Sequence, residues 1–247
     1  MKFVIVGGTG RVGSGVVTKL RQQGHDVVAA APETGVDTIN GTGLDKALDS
    51  AAAVLDVTNS PDMSEQPATE FFRTSTRNLL AAESSAGVGH HVTLSIVGID
   101  RPHDLGYYRA KLAQEQAVRD GDVPYTIVRS TQFMDFVKML VDSSADGTQV
   151  RLPSTMVQPI AVTDLVDALA TIMTEPPAGS IVEVAGPEAM AFDEFARRLF
   201  AATGNQRTVV TDQSATPFFG AALGERLLVP GAGARLGSTG IADWLAS

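Results

Sequence analysis

The chain contains no cysteine, so disulfide bonds and thiolate catalysis are excluded. It also has no apolar run near the roughly 20 residues that a membrane-spanning helix needs. The short apolar run at residues 3–6 is followed at once by glycines, unlike a signal peptide. Basic residues are few, since 19 Lys and Arg accompany 28 Asp and Glu, a net charge of −9. An acidic surface repels nucleic-acid phosphates and anionic lipid, so we expect no nucleic-acid partner, no membrane association and a cytoplasmic location.

The rest of the composition is that of a globular protein, with 44% hydrophobic and 19% charged residues. Over the first 130 residues, short continuous apolar runs alternate with helical patterns. Such runs predict strands buried on both faces, and their alternation with helices predicts βαβ crossovers and a parallel α/β sheet. The predicted strands are residues 4–6, 26–31, 37–39, 53–57, 91–95 and 125–128, and the predicted helices include 44–50, 69–86 and 108–119.

A glycine-rich loop at residues 7–13, with the pattern G-x-x-G-x-x-G, follows the first strand and opens a helix. Its glycines permit a tight turn, close approach of a pyrophosphate to the backbone, and packing of the helix on the strand. The N–H groups at the helix N-terminus attract the anion. The loop therefore predicts dinucleotide binding, by Gly7, Thr9, Gly10, Arg11, Val12 and Gly13.

The choice between NAD and NADP depends on charged side chains near this loop. The second strand ends in Ala30-Ala31-Pro32 with no acid to hold the ribose hydroxyls, and Glu33 lies just beyond it. Arg11 lies inside the loop, where a guanidinium can bind a 2′-phosphate. We favour NADP(H), with NAD(H) possible.

A tyrosine and a lysine, Tyr107 and Lys111, are four residues apart on the predicted helix that follows the fifth strand, which ends at Ser95. Residues i and i+4 share one helix face, and the carboxyl ends of strands line the ligand crevice of a doubly wound sheet. A cation favours the tyrosinate and so assists proton transfer to a reduced carbonyl, while a serine holds the carbonyl oxygen. The pattern predicts Ser95, Tyr107 and Lys111 as catalytic residues, with Lys111 also binding the cofactor ribose.

Taken together, these motifs resemble the short-chain dehydrogenase/reductase superfamily, and more narrowly its atypical branch of NAD(P)H-binding, NmrA-like proteins. The resemblance covers nearly the whole chain and also rests on residues 56–60, 78–82, 94–98, 123–133 and 159–164. It implies a Rossmann-like doubly wound parallel sheet with a small C-terminal substrate lobe. It further implies that Thr58, Asn59 and Ser60 border the cofactor, and that Thr131, Gln132 and Phe133 border the substrate.

The resemblance gives a single NAD(P)-binding domain over 1–247. Within it, 1–130 form the cofactor-binding core, and 131–247 form mainly the substrate lobe, with a strand near 181–185 returning to the sheet. We expect no metal site, because His90 and His91 are adjacent on a strand and point to opposite faces. Glu115 is expected to be a solvated charge on its helix, and Asp164 to be a helix cap.

The predicted function is an NAD(P)H-dependent oxidoreductase that moves hydride to or from a small, mostly apolar carbonyl, quinone or enone. We expect a monomer or homodimer with a small-molecule substrate. One alternative is a non-catalytic NAD(P) redox sensor of the NmrA type. The other is a nucleotide-sugar epimerase or dehydratase, for which the roughly 118 residues after Arg129 form a short sugar-nucleotide lobe.

Overall fold

Residues 1–221 and 224–246 are described by the computed structural model of the chain. This part of the chain contains twelve strands. In chain order they are β1 (Lys2–Val6), β2 (Asp26–Ala30), β3 (Ala53–Asp56), β4 (His91–Ile96), β5 (Tyr125–Ser130), β6 (Ala145–Asp146), β7 (Gln149–Leu152), β8 (Met156–Val157), β9 (Ile181–Ala185), β10 (Met190–Ala191), β11 (Thr208–Thr211) and β12 (Arg235–Leu236).

Eight α-helices and one short 3₁₀ turn, Pro32–Thr34, connect these strands within the described residues. The helices are α1 (Arg11–Gln22), α2 (Leu44–Leu48), α3 (Glu65–Ala86), α4 (Gly106–Arg119), α5 (Met134–Ser143), α6 (Val162–Thr174), α7 (Phe192–Thr203) and α8 (Ile241–Ala246). None of the helices in the described ranges is both long and apolar enough to cross a membrane.

The central sheet has seven parallel strands in the order β12-β9-β5-β4-β3-β1-β2. Strands β1 and β3 are buried along most of their length, as their continuous apolar runs predict, and β4 is mostly buried although it contains His91, Thr93 and Ser95. Helix α1 buries Val12, Val16, Val17 and Leu20, the stripe that its sequence spacing predicts. The prediction of a Rossmann-like parallel α/β sheet is confirmed.

The chain divides into two compact units. The first contains residues 1–96, 106–129 and 166–182, and the second contains residues 97–105, 130–165 and 183–247. In the second unit, β7 pairs with β6 and β11, and β8 pairs with β10. Strand β9 lies beside β5 in the central sheet, where the Ile127 N–H donates to the Ser180 carbonyl over 3.1 Å.

Residues 37–39 do not form the strand that their sequence predicts. The carboxylate of Asp37 accepts hydrogen bonds from the backbone N–H of Ile39 and from the side chain of Asn40, at 2.8 Å each. Such an Asx turn competes with an extended conformation. Asp164 also differs from the prediction, because it lies inside the first turn of α6 and accepts hydrogen bonds from Thr239.

Candidate active site

The glycine loop joins β1 to α1 in the first unit and closes tightly on itself. A Cβ atom at Gly13 would lie 2.2 Å from the Gly7 carbonyl oxygen, so only glycine allows the helix to start this close to the loop. Gly7 has φ = 81°, in the left-handed region that glycine adopts without strain. The loop has the backbone shape for which the glycine spacing is typical.

The N-terminus of α1 is open. Gly10 is its N-cap residue and has no side chain to satisfy the first helical N–H groups. Apart from Gly10 and its two chain neighbours, the Gly7 carbonyl oxygen is the sole described atom within 4 Å of a Cβ placed on Gly10, at 3.3 Å. The first N–H groups of α1 therefore face open space at the helix N-terminus, an arrangement that fits the pyrophosphate of a dinucleotide. Arg11 is exposed there and Val12 is buried.

An acidic side chain, Glu33, contacts the same loop. It lies in the 3₁₀ turn after β2, and Thr9 Oγ1 donates a hydrogen bond of 2.5 Å to Glu33 Oε1. The hydrogen bond from Thr9, together with a backbone N–H, lowers the pKa of Glu33. A carboxylate is thus held at the edge of the loop, three residues beyond β2.

The segment that follows β3, residues 57–60, is fixed by a buried carboxylate. Asp56, 1% exposed, accepts hydrogen bonds from Thr58 N at 2.9 Å and Thr58 Oγ1 at 2.7 Å. Ser60 Oγ donates to the Asp62 carbonyl at 2.6 Å. Asn59, between these two anchored residues, is exposed.

Tyr107 is in the first turn of α4 and bonds to this segment. Its hydroxyl donates a hydrogen bond of 2.5 Å to Asn59 Oδ1, and its ring meets the Phe72 ring edge to face, with centroids 5.9 Å apart. Burial raises the pKa of Tyr107 to about 12. The phenol is therefore neutral throughout the physiological range. The neighbouring phenol, Tyr108, is 3% exposed and belongs to the core.

Lys111 lies one turn further along α4 and is buried. Its Nζ donates to the Leu94 carbonyl at 2.8 Å and to Gln114 Oε1, and it lies 4.5 Å from the centroid of the Phe72 ring. Gln114 Nε2 in turn donates to Asp56 Oδ2 at 3.0 Å. Burial lowers the pKa of Lys111 to about 8. Lys111 and Tyr107 share a helix face, as their spacing predicts, but the ammonium is directed to groups of the protein.

Ser95, at the end of β4, is 2% exposed and donates its hydroxyl proton to Glu115 Oε1 at 2.7 Å. Glu115 is fully buried and accepts two further hydrogen bonds from Arg129, both 2.8 Å, and one from Arg119 of 2.9 Å. The expectation that Glu115 is a solvated charge is wrong. The buried positions of α4 include 108, 111, 115 and 118, and this spacing of three and four residues identifies Glu115 as part of the inward face.

The predicted substrate residues Thr131, Gln132 and Phe133 belong to the second unit, directly after β5. The Thr131 N–H donates to the Val184 carbonyl at 3.0 Å, and the Gln132 carbonyl accepts from the Ile160 N–H at 2.9 Å. The Thr131 hydroxyl is buried and makes no hydrogen bond to the described residues. Their role in substrate binding stays a prediction. The described residues contain no group of side chains suited to a metal ion.

Comparison with known proteins places this geometry among dinucleotide-binding folds. The NAD(P)H-binding family matches residues 7–176. A (4-alkanoyl-5-oxo-2,5-dihydrofuran-3-yl)methyl phosphate reductase of Streptomyces griseus is 31% identical over 210 residues, which are 78% of this chain and 70% of that protein.

More distant relatives are also reductases. A chloroplastic divinyl chlorophyllide a 8-vinyl-reductase of Cucumis sativus is 26% identical over 75% of this chain, which spans about half (52%) of its length. A solved structure of a dTDP-4-dehydrorhamnose reductase from Clostridium acetobutylicum has a TM-score of 0.77 over 100% of this chain and 99% of that chain. At 18% identity, this structure supports the fold alone.

Proposed function

Because the chain belongs to the NAD(P)H-binding family, we propose that it is a nicotinamide-dependent reductase of a small, mostly apolar carbonyl, quinone or enone, and that a conjugated enone is its preferred acceptor. The enone is thus chosen from the three acceptor classes that the sequence predicts.

The observation that carries the enone is the geometry around Tyr107, whose hydroxyl contacts the Asn59 amide while the Lys111 ammonium is directed to the Leu94 carbonyl and to Gln114. Reduction of a simple carbonyl places a full charge on an alkoxide, which needs a ready proton. Reduction of an enone gives an enolate, whose charge is shared between oxygen and carbon, so hydride transfer depends less on a simultaneous proton transfer. Tyr107 has a pKa raised to about 12 and its hydroxyl contacts an amide, whereas Lys111 is directed to Leu94 and Gln114. This arrangement suits a reaction in which proton transfer from Tyr107 follows hydride transfer.

The names of two relatives point the same way. The Streptomyces enzyme is named for a 2,5-dihydrofuran, a ring with one C=C bond, that carries an oxo and an alkanoyl group. The Cucumis enzyme is named for reduction of a vinyl group. Both names describe compounds with a carbon–carbon double bond, which supports the same class of acceptor for this chain.

We propose separate roles for the site residues. The bound nicotinamide supplies the hydride. The open N-terminus of α1 and the loop residues 7–13 bind the pyrophosphate, and Thr58 with Ser60 borders the ribose. Tyr107 acts as a neutral proton donor, and Lys111 holds α4 against β3 and β4 through Gln114 and the Leu94 carbonyl.

NADP(H) is the proposed cofactor, on the exposed Arg11 at the start of α1. Glu33 opposes it, because its carboxylate repels a 2′-phosphate and suits free ribose hydroxyls. Calorimetric titration of wild type, R11A and E33Q with NADPH and NADH separates the two effects. We expect R11A to weaken NADPH binding about tenfold and NADH binding little, and E33Q to strengthen NADPH binding. R73A, at an exposed arginine of α3, is the control. Preference of the wild type for NADH would contradict the assignment to Arg11.

The acceptor is tested with the purified protein, NADPH and three matched compounds: a cyclic enone, the corresponding saturated ketone and a quinone. We expect the highest kcat/KM for the enone and a loss of at least tenfold in Y107F. Turnover of the ketone alone would overturn the enone proposal. Tight cofactor binding without turnover of any acceptor would favour the redox sensor.

A further inference from the structure

We propose that Asn59 is a catalytic residue, and that the N–H groups of its side-chain amide bind the carbonyl oxygen of the substrate beside Tyr107. This inference rests on the proposed enone reduction and identifies the donor that stabilises the enolate oxygen. The family resemblance implies only that Asn59 borders the cofactor.

The donor that the sequence predicts for that oxygen, Ser95, is already used by the protein, and so is the predicted cation, Lys111. Ser95 is 2% exposed, and its single hydroxyl proton is donated to Glu115. Glu115 is charged and fully buried, so this bond is of the strong, charge-assisted kind. Ser95 is therefore a poor donor to a ligand, because its proton is held by a buried carboxylate, whereas the Tyr107 proton is held by a neutral, exposed amide that a substrate can replace. Lys111 likewise directs its ammonium to a backbone carbonyl, an amide oxygen and an aromatic ring.

Asn59 offers what these two residues lack. Its Oδ1 accepts the hydrogen bond from Tyr107, and in the described part of the chain its Nδ2 makes no hydrogen bond. A primary amide has two N–H donors, and Nδ2 is bonded to the same carbon as Oδ1. The exposed amide therefore places N–H donors next to the phenol oxygen of Tyr107. Reduction of a carbonyl compound needs both groups at one place, because one donates the proton and the other binds the carbonyl oxygen.

The segment around Asn59 is rigid enough for this role. Asp56 fixes Thr58 through two hydrogen bonds, and Ser60 is tied to the Asp62 carbonyl. The Tyr107 bond then restrains the Asn59 side chain itself. Donors that are oriented before the charge develops stabilise it without further reorganisation, and loss of one such donor costs about 10²–10³ in kcat.

The proposed reduction consumes one hydride and one proton for each enone. The hydride brings an electron pair to the β-carbon, and the C=C pair moves toward the carbonyl oxygen, which the Asn59 N–H groups bind as an enolate. The α-carbon then takes one proton, delivered through Tyr107 from solvent. The products are the saturated carbonyl compound and the oxidised nicotinamide.

The experiment compares N59D, N59A and S95A with wild type in the cofactor-loaded enzyme. N59D keeps the shape and the acceptor oxygen for Tyr107 but removes both N–H donors and adds a negative charge, and N59A removes the donors without adding a charge. We expect N59D and N59A to lower kcat for the cyclic enone about 100-fold while the Kd for NADPH, measured by calorimetry, changes less than threefold. S95A tests the donor that the sequence predicts, and a loss of kcat in S95A as large as that in N59D would contradict the assignment of the oxygen to Asn59; R73A, at the exposed arginine of α3, is the control.

A second readout does not depend on turnover. The saturated ketone, bound to the protein with oxidised cofactor, should show a carbonyl stretching band shifted to lower wavenumber in wild type and in S95A. The shift should be absent in N59D. A normal kcat and an intact band shift in N59D, with both lost in S95A, would overturn the role of Asn59 and leave the enone reduction standing. Absence of enone reduction by the wild-type holoenzyme overturns the proposed function, and the inference with it.

Discussion

Replacing Glu115 by glutamine tests the buried ion network behind Ser95. Glu115 is fully buried, and its two oxygens accept hydrogen bonds from Ser95, Arg119 and Arg129. Glutamine keeps the shape but removes the charge, and it turns an NH₂ group toward a guanidinium that is itself only 4% exposed. Removal of one partner from a buried ion pair costs about 3–5 kcal/mol, because the remaining charge loses its compensation.

This loss converts to a large shift in melting temperature. A domain of 150–250 residues loses about 2–4 °C for each kcal/mol, so we expect Tm of E115Q to fall by roughly 10 °C. Calorimetry measures Tm, and urea unfolding independently measures the free energy of unfolding. R119A is the matched control, since Arg119 contributes the more exposed bond of the network, and exposed pairs are worth about 0–1 kcal/mol.

A double variant separates charge from packing. In E115M/R129M both charges leave together, and apolar residues of similar volume replace the pair. Such replacements are often neutral or stabilising, so we expect Tm well above that of E115Q. A fall of less than about 3 °C in E115Q, or a double variant less stable than E115Q, would refute the reasoning that an uncompensated buried charge is the cause.

Three further predictions concern single residues. The pKa of Lys111 is lowered to about 8, against about 10.4 in the unfolded chain. The unfolded chain then binds more protons between these values, so the free energy of unfolding of wild type relative to K111M should rise by about 2 kcal/mol from pH 8 to pH 10. Urea unfolding at both pH values measures this, and a fall would contradict it. Because the pKa of Tyr107 is raised to about 12, the pH profile of kcat/KM for the enone should show no tyrosine-dependent change up to pH 10. A fall in kcat/KM near pH 8 that is absent in Y107F would exclude a neutral phenol. G13A should weaken NADPH binding at least tenfold in calorimetry, whereas G89A, where an added Cβ has no neighbour closer than 3.6 Å, should bind normally.

The sequence predicts the fold well because its signals are local. Continuous apolar runs identify the buried strands, and the stripe of Val12, Val16, Val17 and Leu20 identifies α1. The prediction is wrong at residues 37–39, where the Asp37 side chain bonds to the backbone. The pattern of apolar residues does not reveal a hydrogen bond between a side chain and the backbone, although Asp and Asn together are typical of turns.

The site is harder to predict than the fold. Helical spacing places Tyr107 and Lys111 on one face, and both contact the Phe72 ring. Their polar partners depend on the tertiary structure, because Asn59 lies 48 residues from Tyr107 in the chain and Glu115 lies 20 residues from Ser95. No periodicity in the sequence connects residues so far apart. The identity of the donors at the site therefore follows from the fold and not from the motif.

The position of β9 in the sheet has a consequence for synthesis of the protein. Strand β5 ends at Ser130, but its neighbour on the outer side begins only at Ile181. At about 5–20 residues per second, the ribosome needs roughly 3–10 s to make the intervening ~50 residues. During this interval the outer edge of β5 has no strand paired with it, and an unpaired strand edge is a known risk for aggregation. The nascent chain should therefore depend on chaperones most strongly between the completion of β5 and the arrival of β9.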